Sequence, residues 1–172
     1  MRTGYDEARD PKYAVIERER RWLVDRTGRP DVAGTPCTLI EDRYIIGTRL
    51  RVRRMTAGDG GVALKLTKKY AADDPIARPI VTAYLDEAEF PVFAALPAQV
   101  IVKRRYKIVE GGIAFSLDCF DGPLAPLEIA EIEWPDDTGL RALQAPSWAV
   151  REISNDPQYQ GGTLATDGLP KD

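Results

Sequence analysis

The stretch Tyr13-Ala14-Val15-Ile16-Glu17-Arg18-Glu19-Arg20-Arg21-Trp22-Leu23-Val24 is apolar at both ends and carries β-branched residues, which predicts a strand. Alternate side chains of a strand share a face. Glu17, Glu19 and Arg21 therefore form one row, with Arg18 and Arg20 on the other side. Similar rows return three times. Arg51 and Arg53 flank Val52, Lys103 and Arg105 sit in Val-Lys-Arg-Arg-Tyr, and Glu131 and Glu133 flank Ile132. Acidic pairs near both ends of the chain, with basic pairs between them, point to a site for a polyanion and its metal ions.

Composition narrows the chemistry. The chain has 172 residues, of which 44% are apolar and 30% charged, enough for one domain with its own core. A net charge of −3 gives no general attraction to nucleic acid or to anionic membranes, so an anion site must be local. Neither a nucleic-acid partner nor a membrane is expected. No apolar run approaches the roughly 20 residues that span a bilayer. The first residues lack the apolar core of a signal peptide, and Cys37 and Cys119 are expected as reduced thiols of a cytoplasmic protein. Histidine is absent, which excludes His-based zinc sites, Ser-His-Asp triads and Cys-His nucleophiles. Metal ligands would be hard oxygens, which favour Mg²⁺ or Mn²⁺.

Residues 1–12 read as a polar lead-in. Strands are predicted at about 13–24, 38–46, 48–56, 62–70, 80–85, 99–109, 113–120 and 126–134. Turn signals separate several of them, at Ala57 to Gly61, at Gly111-Gly112 and at Asp121-Gly122-Pro123. A helix is predicted from Asp86 as cap, with Glu89 three positions on, to a stop at Pro97; a short one is expected at 138–145. The tail at 154–168 reads as packing or loose structure. Eight strands joined by short turns predict an antiparallel sheet that curls or closes into a barrel. The charged rows can face outward, as in an ordinary barrel, or line a hydrated lumen. Buried charges need water, ion pairs or a ligand.

Each row alone also fits a solvated strand face. Lys65 fits an ordinary exposed lysine, and Trp22, Trp134 and Trp148 fit core or cover. Gly58 to Gly61 lacks the Lys-Ser/Thr of a phosphate loop. Asp118, in Phe-Ser-Leu-Asp-Cys-Phe, is a carboxylate among apolar residues and needs a partner or a function.

The order of the motifs adds what the single motifs lack. Glu17-Arg18-Glu19-Arg20-Arg21-Trp22-Leu23-Val24 resembles the Glu-x-Glu-x-Lys signature, followed by aromatic, Leu and Val, of the CYTH superfamily, also called triphosphate tunnel metalloenzymes. Arg51-x-Arg53 resembles that family's Arg-x-Arg, and Lys65, or Lys68 in another register, its following strand lysine. Lys103, Arg105 and Tyr106 match Lys-x-Arg-Tyr, Asp118 and Phe120 match Asp-x-Phe, and Ala130-Glu131-Ile132-Glu133 matches Ala-Glu-Ile-Glu. Arg151 to Asp156, followed by Tyr159, is similar to the closing segment. Two positions depart from the pattern: Arg21 replaces the usual lysine, and Ile80 to Tyr84 lacks the Glu-x-Glu that many members carry before the helix.

The resemblance implies one CYTH-like domain over 1–172, with its core at about 13–165. The implied fold is mainly β: an eight-stranded antiparallel closed barrel with a few helices packed outside. It implies divalent-metal-dependent hydrolysis of inorganic tripolyphosphate or an organic triphosphate, with water attacking a terminal phosphorus. Glu17, Glu19, Arg21 and Lys65 would be catalytic. Arg51, Arg53, Lys65, Lys103, Arg105 and Tyr44 would hold phosphates. Glu17, Glu19, Asp118, Glu131 and Glu133 would hold Mg²⁺ or Mn²⁺. Two alternatives stay open: an adenylate cyclase of the same superfamily, and a non-catalytic domain that binds polyphosphate or nucleotide. Apolar outer positions leave room for a homodimer.

Overall fold

A computed structural model describes residues 11–171; of the expected lead-in, residues 1–10 lie outside them. The strands are β1 (Val15–Val24), β2 (Thr38–Ile45), β3 (Leu50–Thr56), β4 (Val62–Lys69), β5 (Ala77–Leu85), β6 (Ala98–Glu110), β7 (Ile113–Phe120), β8 (Glu128–Glu133) and β9 (Ala149–Glu152). They run in the order β5-β4-β3-β2-β6-β7-β8-β1, all antiparallel, and β1 pairs with β5 to close an eight-stranded barrel. The short β9 pairs with the second half of β1, where β5 has left it. Five of the seven barrel connections are hairpin-like links between neighbours in sequence, as the turn signals require. At Gly111-Gly112 both φ angles are positive, 58° and 81°, and Glu110 faces Ile113 across a two-residue turn. Backbone of that hand matches strand twist and favours glycine.

The alternation of β1 sets the layers. Trp22 faces outward, into a buried cluster with Tyr106, Phe115, Leu117, Ala130 and Ile132. Trp148 and Leu140, the latter on helix α2 (Asp137–Ala142), cover this face. Phe115 meets Trp22 and Trp148 edge-on, with ring centroids 6.2 and 6.0 Å apart. One apolar core thus lies outside the barrel, and the charged rows are free to line the lumen. A second cluster closes one end of that lumen. Ile101, Phe120 and Ile129 each stand two residues along a strand from Lys103, Asp118 and Glu131, and Ile153, Leu124 and Leu164 pack over them.

The helices differ from expectation in extent and place. Asp86 and Glu89 do make a reciprocal cap: Asp86 Oδ1 accepts from the Glu89 amide at 2.8 Å, and Glu89 Oε2 from the Asp86 amide at 3.0 Å. The chain there is a turn, however, and regular helix α1 covers only Phe90–Ala94, ahead of Pro97. The other short helix spans Asp137–Ala142 instead of 138–145. The tail is not loose: a 3₁₀ turn (Pro157–Tyr159) leads into helix α3 (Gly161–Asp167), whose Leu164 is buried. That helix does not pack wholly outside, because Gly161, Gly162 and Thr166 border the lumen cavity.

Gly161 is required by contact. A Cβ at this position would overlap the hydroxyl of Tyr44 on β2. Gly161→Ala is therefore expected to lower stability by about 1–3 kcal/mol through overpacking. Chemical denaturation measures this, and a variant of wild-type stability would mean that α3 does not rest on Tyr44.

Candidate active site

The lumen encloses a cavity of about 610 Å³. Strand parity delivers polar side chains to it from seven of the eight barrel strands, and Phe120 from β7: Glu17, Glu19 and Arg21 come from β1, Asp42 and Tyr44 from β2, Arg51 and Arg53 from β3, and Lys69 from β4. Arg78 on β5, Lys103 on β6, Glu131 and Glu133 on β8 and Arg49 on the turn after β2 complete its charged wall. The rows face one another because the register sets Glu19 opposite Glu133, Arg21 opposite Glu131 and Arg53 opposite Asp42. Arg18 and Arg20 point outward instead, to Asp137 and Glu152.

Three carboxylates form a compact cluster. One oxygen from each of Glu17, Glu19 and Glu133 lies within 4.8 Å of the others. Burial, then the charge of Glu19, pushes the Glu17 carboxyl above its ordinary range, against the pull of Lys69. The Glu133 carboxyl is also pushed up, by burial and then by Glu131, Glu17 and Glu19. Lys69 pairs with Glu17 and lies 3.2 Å from Glu19. Carboxylates crowded in this way are stabilised by a cation, and their all-oxygen donor set fits a hard divalent ion.

The other carboxylates are already committed to cations. Asp118, 1% exposed, accepts from Lys103 Nζ at 2.5 Å and from Arg105 at 2.6 and 2.8 Å. Burial alone would push its carboxyl up, but Lys103 and Arg105 outweigh that and hold it down. Asp118 is thus a clamp for two cations, and its oxygens are not open in the way those of the Glu17 cluster are. Glu131 lies between, at 3.1 Å from Arg105 Nη2 and 3.9 Å from Arg21 Nε. Burial opposes its charge, yet Arg105 and Lys103 hold it well below the usual range.

Asp42, on the same parity as Tyr44, is a site residue that sequence reasoning missed. It accepts from Arg53 at 2.5 and 2.7 Å and lies 3.6 Å from Arg51 Nε. Burial again works against its charge, but Arg53 and Arg51 bring its pKa down to about 2. Arg51 Nε is buried with no hydrogen-bond partner among the described residues. An orphaned guanidinium donor in a cavity wall is what an anionic ligand would satisfy. A group whose pKa falls on folding stabilises above its unfolded value and loses that contribution on acidification. The stability gap between wild type and Asp42→Asn is thus expected to narrow by about 2 kcal/mol as pH falls from 5 to 2. Denaturant titrations across that range check this; a gap independent of pH would mean that Asp42 is not ionised against its arginines.

Lys65 is not where the resemblance put it. It shares the lumen parity, opposite Arg53, but lies over the ring of exposed Tyr84, outside the residues that line the cavity. Lys68, the alternative, has the opposite parity. Lys69, four residues after Lys65, is the strand β4 lysine in the cavity wall. Arg21 lines the cavity and donates to the carbonyl of Tyr159 at 2.9 Å. Arg105 shares the parity of Lys103 but is not among the residues that line the cavity; it pairs with Asp118 and Glu131. Within β5, the lumen row Arg78, Ile80, Thr82 and Tyr84 carries no carboxylate.

No protein-family model matches the chain. An inorganic triphosphatase of Acetivibrio thermocellus is 40% identical over 65 residues, which is 38% of this chain and 40% of that relative. One from Nitrosomonas europaea is 31% identical over 84 residues, 47% of this chain and 55% of the relative. The matched stretches thus cover about half or less of these curated relatives. Among solved structures, the crystal structure of the hypothetical protein NE1496 superposes with a TM-score of 0.56 at 25% identity, over 87% of this chain and 97% of that one. A second crystal structure, of the inorganic triphosphatase NE1496, gives 0.56 at 24% identity over 88% and 95%. In its closed eight-stranded barrel and in these partial matches the chain is similar to proteins named inorganic triphosphatase, as the resemblance of its motifs to the CYTH superfamily implies.

Proposed function

We propose that the chain, as one CYTH-like domain, hydrolyses triphosphate compounds with a divalent cation. The observation that carries this reading is the division of one cavity into a cluster of three carboxylates and a wall of guanidinium and ammonium groups. A triphosphate carries about four negative charges near neutral pH, more than protein cations already paired with carboxylates can neutralise alone. Glu17, Glu19 and Glu133 would hold Mg²⁺ or Mn²⁺, which supplies charge neutralisation at phosphorus and acidifies water. Arg51 and Arg53 would take phosphate oxygens in bidentate fashion, with Arg21, Lys69 and Lys103 adding charge as it develops on the transferred group. Water adds to a terminal phosphorus, the bridging P–O bond breaks, and phosphate, the shortened leaving group and a proton are released. Lys69 takes the part first expected of Lys65, and Asp118 and Arg105 position Lys103 and Glu131.

The relatives named inorganic triphosphatase support tripolyphosphate as the first substrate to try. Phosphate release from tripolyphosphate, ATP and thiamine triphosphate, each with Mg²⁺, Mn²⁺ or EDTA, tests the reading. Metal-dependent release from at least one is expected. Cyclic AMP as the main product from ATP would make the protein a cyclase instead. A second reading, a non-catalytic binder, is favoured by the absence of carboxylates on the β5 lumen row; tight binding with no turnover under either metal would decide for it. Both cysteines are free thiols, which supports placement in the cytoplasm. No helix among the described residues is long and apolar enough to cross a membrane.

A further inference from the structure

Of the seven cationic side chains that line the cavity, five have a carboxylate partner. Among the described residues, the two that have none are Arg49 and Arg78. Arg49 is exposed on the turn after β2, whereas Arg78 is half-buried in the barrel wall. Register sets Arg78 directly opposite Glu17 on the lumen face, yet the ion pair of Glu17 goes to Lys69. Arg78 instead turns to neutral acceptors. Its Nε donates to the Pro75 carbonyl at 3.1 Å, and its Nη1 reaches Gln160 Oε1 at 3.5 Å, a long contact. Gln160 precedes α3 and itself lines the cavity.

A part-buried guanidinium facing only neutral oxygens keeps its charge uncompensated, and an anionic oxygen makes a shorter and stronger bond to it than an amide does. The five paired cations must share an incoming anion with carboxylates they already hold. We propose that Arg78 is an affinity-determining residue of this site. It takes oxygens of the phosphate nearest the Glu17 cluster and gives up Gln160 to do so. This inference rests on the triphosphate reading and goes beyond it in naming which cation the substrate engages.

The test measures tripolyphosphate hydrolysis and, by calorimetry, tripolyphosphate binding with Mg²⁺, for wild type, Arg78→Gln, Arg78→Lys and Gln160→Ala. Arg78→Gln is expected to raise KM and the dissociation constant about tenfold or more, with kcat within threefold, as loss of a charge-assisted bond made equally in ground and transition states requires. Arg78→Lys keeps the charge but loses the planar fork, and should fall between wild type and Arg78→Gln. Gln160→Ala should leave affinity within threefold, because the guanidinium remains. Wild-type KM and affinity in both Arg78 variants would overturn the inference while leaving the triphosphatase reading intact. Should wild type bind tripolyphosphate without turnover, the triphosphatase reading falls and the binding arm still decides the role of Arg78. Should it neither bind nor turn over, both fall.

Discussion

Glu19→Gln is expected to lower metal-dependent phosphate release about hundredfold or more while leaving the fold intact. Loss of an outer partner of a metal ligand costs about 10–100-fold, and loss of a ligand oxygen costs at least as much. Glu19 stands with Glu17 and Glu133 in the one compact carboxylate group found among the described residues. Without a cation the same cluster opposes folding. Burial and the Glu19 charge push the Glu17 carboxyl up, so the folded state binds its proton more tightly than the unfolded state does. Stability of the metal-free protein therefore falls as pH rises through that raised value, and metal affinity falls as pH drops through it. Neutralising Glu19 removes one like charge but also one partner of Lys69, which keeps Glu17. The metal-free variant is thus expected within about 1 kcal/mol of wild type, with a shallower decline toward high pH. Turnover at the wild-type rate in Glu19→Gln would remove Glu19 from the metal site.

Asp118→Asn is expected to act in the opposite manner, on stability first. Its carboxylate holds both Lys103 and Arg105 in a place with almost no access to water. The isosteric amide keeps the shape but strands buried Lys103 and leaves half-buried Arg105 with Glu131 alone, a change that typically costs about 3–5 kcal/mol. Denaturant titration reads the loss, and calorimetry with Mn²⁺ on the folded fraction should give an affinity within about threefold of wild type, since outer-partner losses begin near tenfold. A stability loss under about 1 kcal/mol, together with metal affinity reduced tenfold, would make Asp118 a ligand instead of a clamp.

The barrel was legible because the two faces of its strands differ in kind. In β8 charged and apolar side chains alternate at Glu131-Ile132-Glu133, whereas in β1 and β6 a charged run lies between apolar, β-branched ends, so there the ends mark the strand and the period of two sorts the charges into rows. Parity alone cannot say how far along the barrel a residue lies. Lys65 and Lys69 share a face, and only the pairing of Lys65 with Tyr84 and of Lys69 with Ile80 decides which one reaches the cavity. The signal for Asp42 was present, two residues from Tyr44 on the same face, but its meaning depends on Arg53 being directly opposite. Strand β9, Ala-Val-Arg-Glu, is too short to show a period. Helix α3 opens on Gly161-Gly162 with no side-chain cap; it is held by Leu164 in the apolar plug and by the contact with Tyr44, neither of which is local in sequence. The Asp86 cap was correctly read from spacing, yet a cap does not set how many turns follow, and Pro97 left room for few.

The most direct measurement is a ³¹P NMR time course of tripolyphosphate with the wild-type protein, with Mg²⁺, with Mn²⁺ and with EDTA. A lumen that holds a divalent cation at Glu17, Glu19 and Glu133 and the triphosphate on its arginines should give phosphate and pyrophosphate in equal amounts with at least one metal, and none with EDTA. Tripolyphosphate left unchanged under both metals, or cleaved equally well in EDTA, would contradict it.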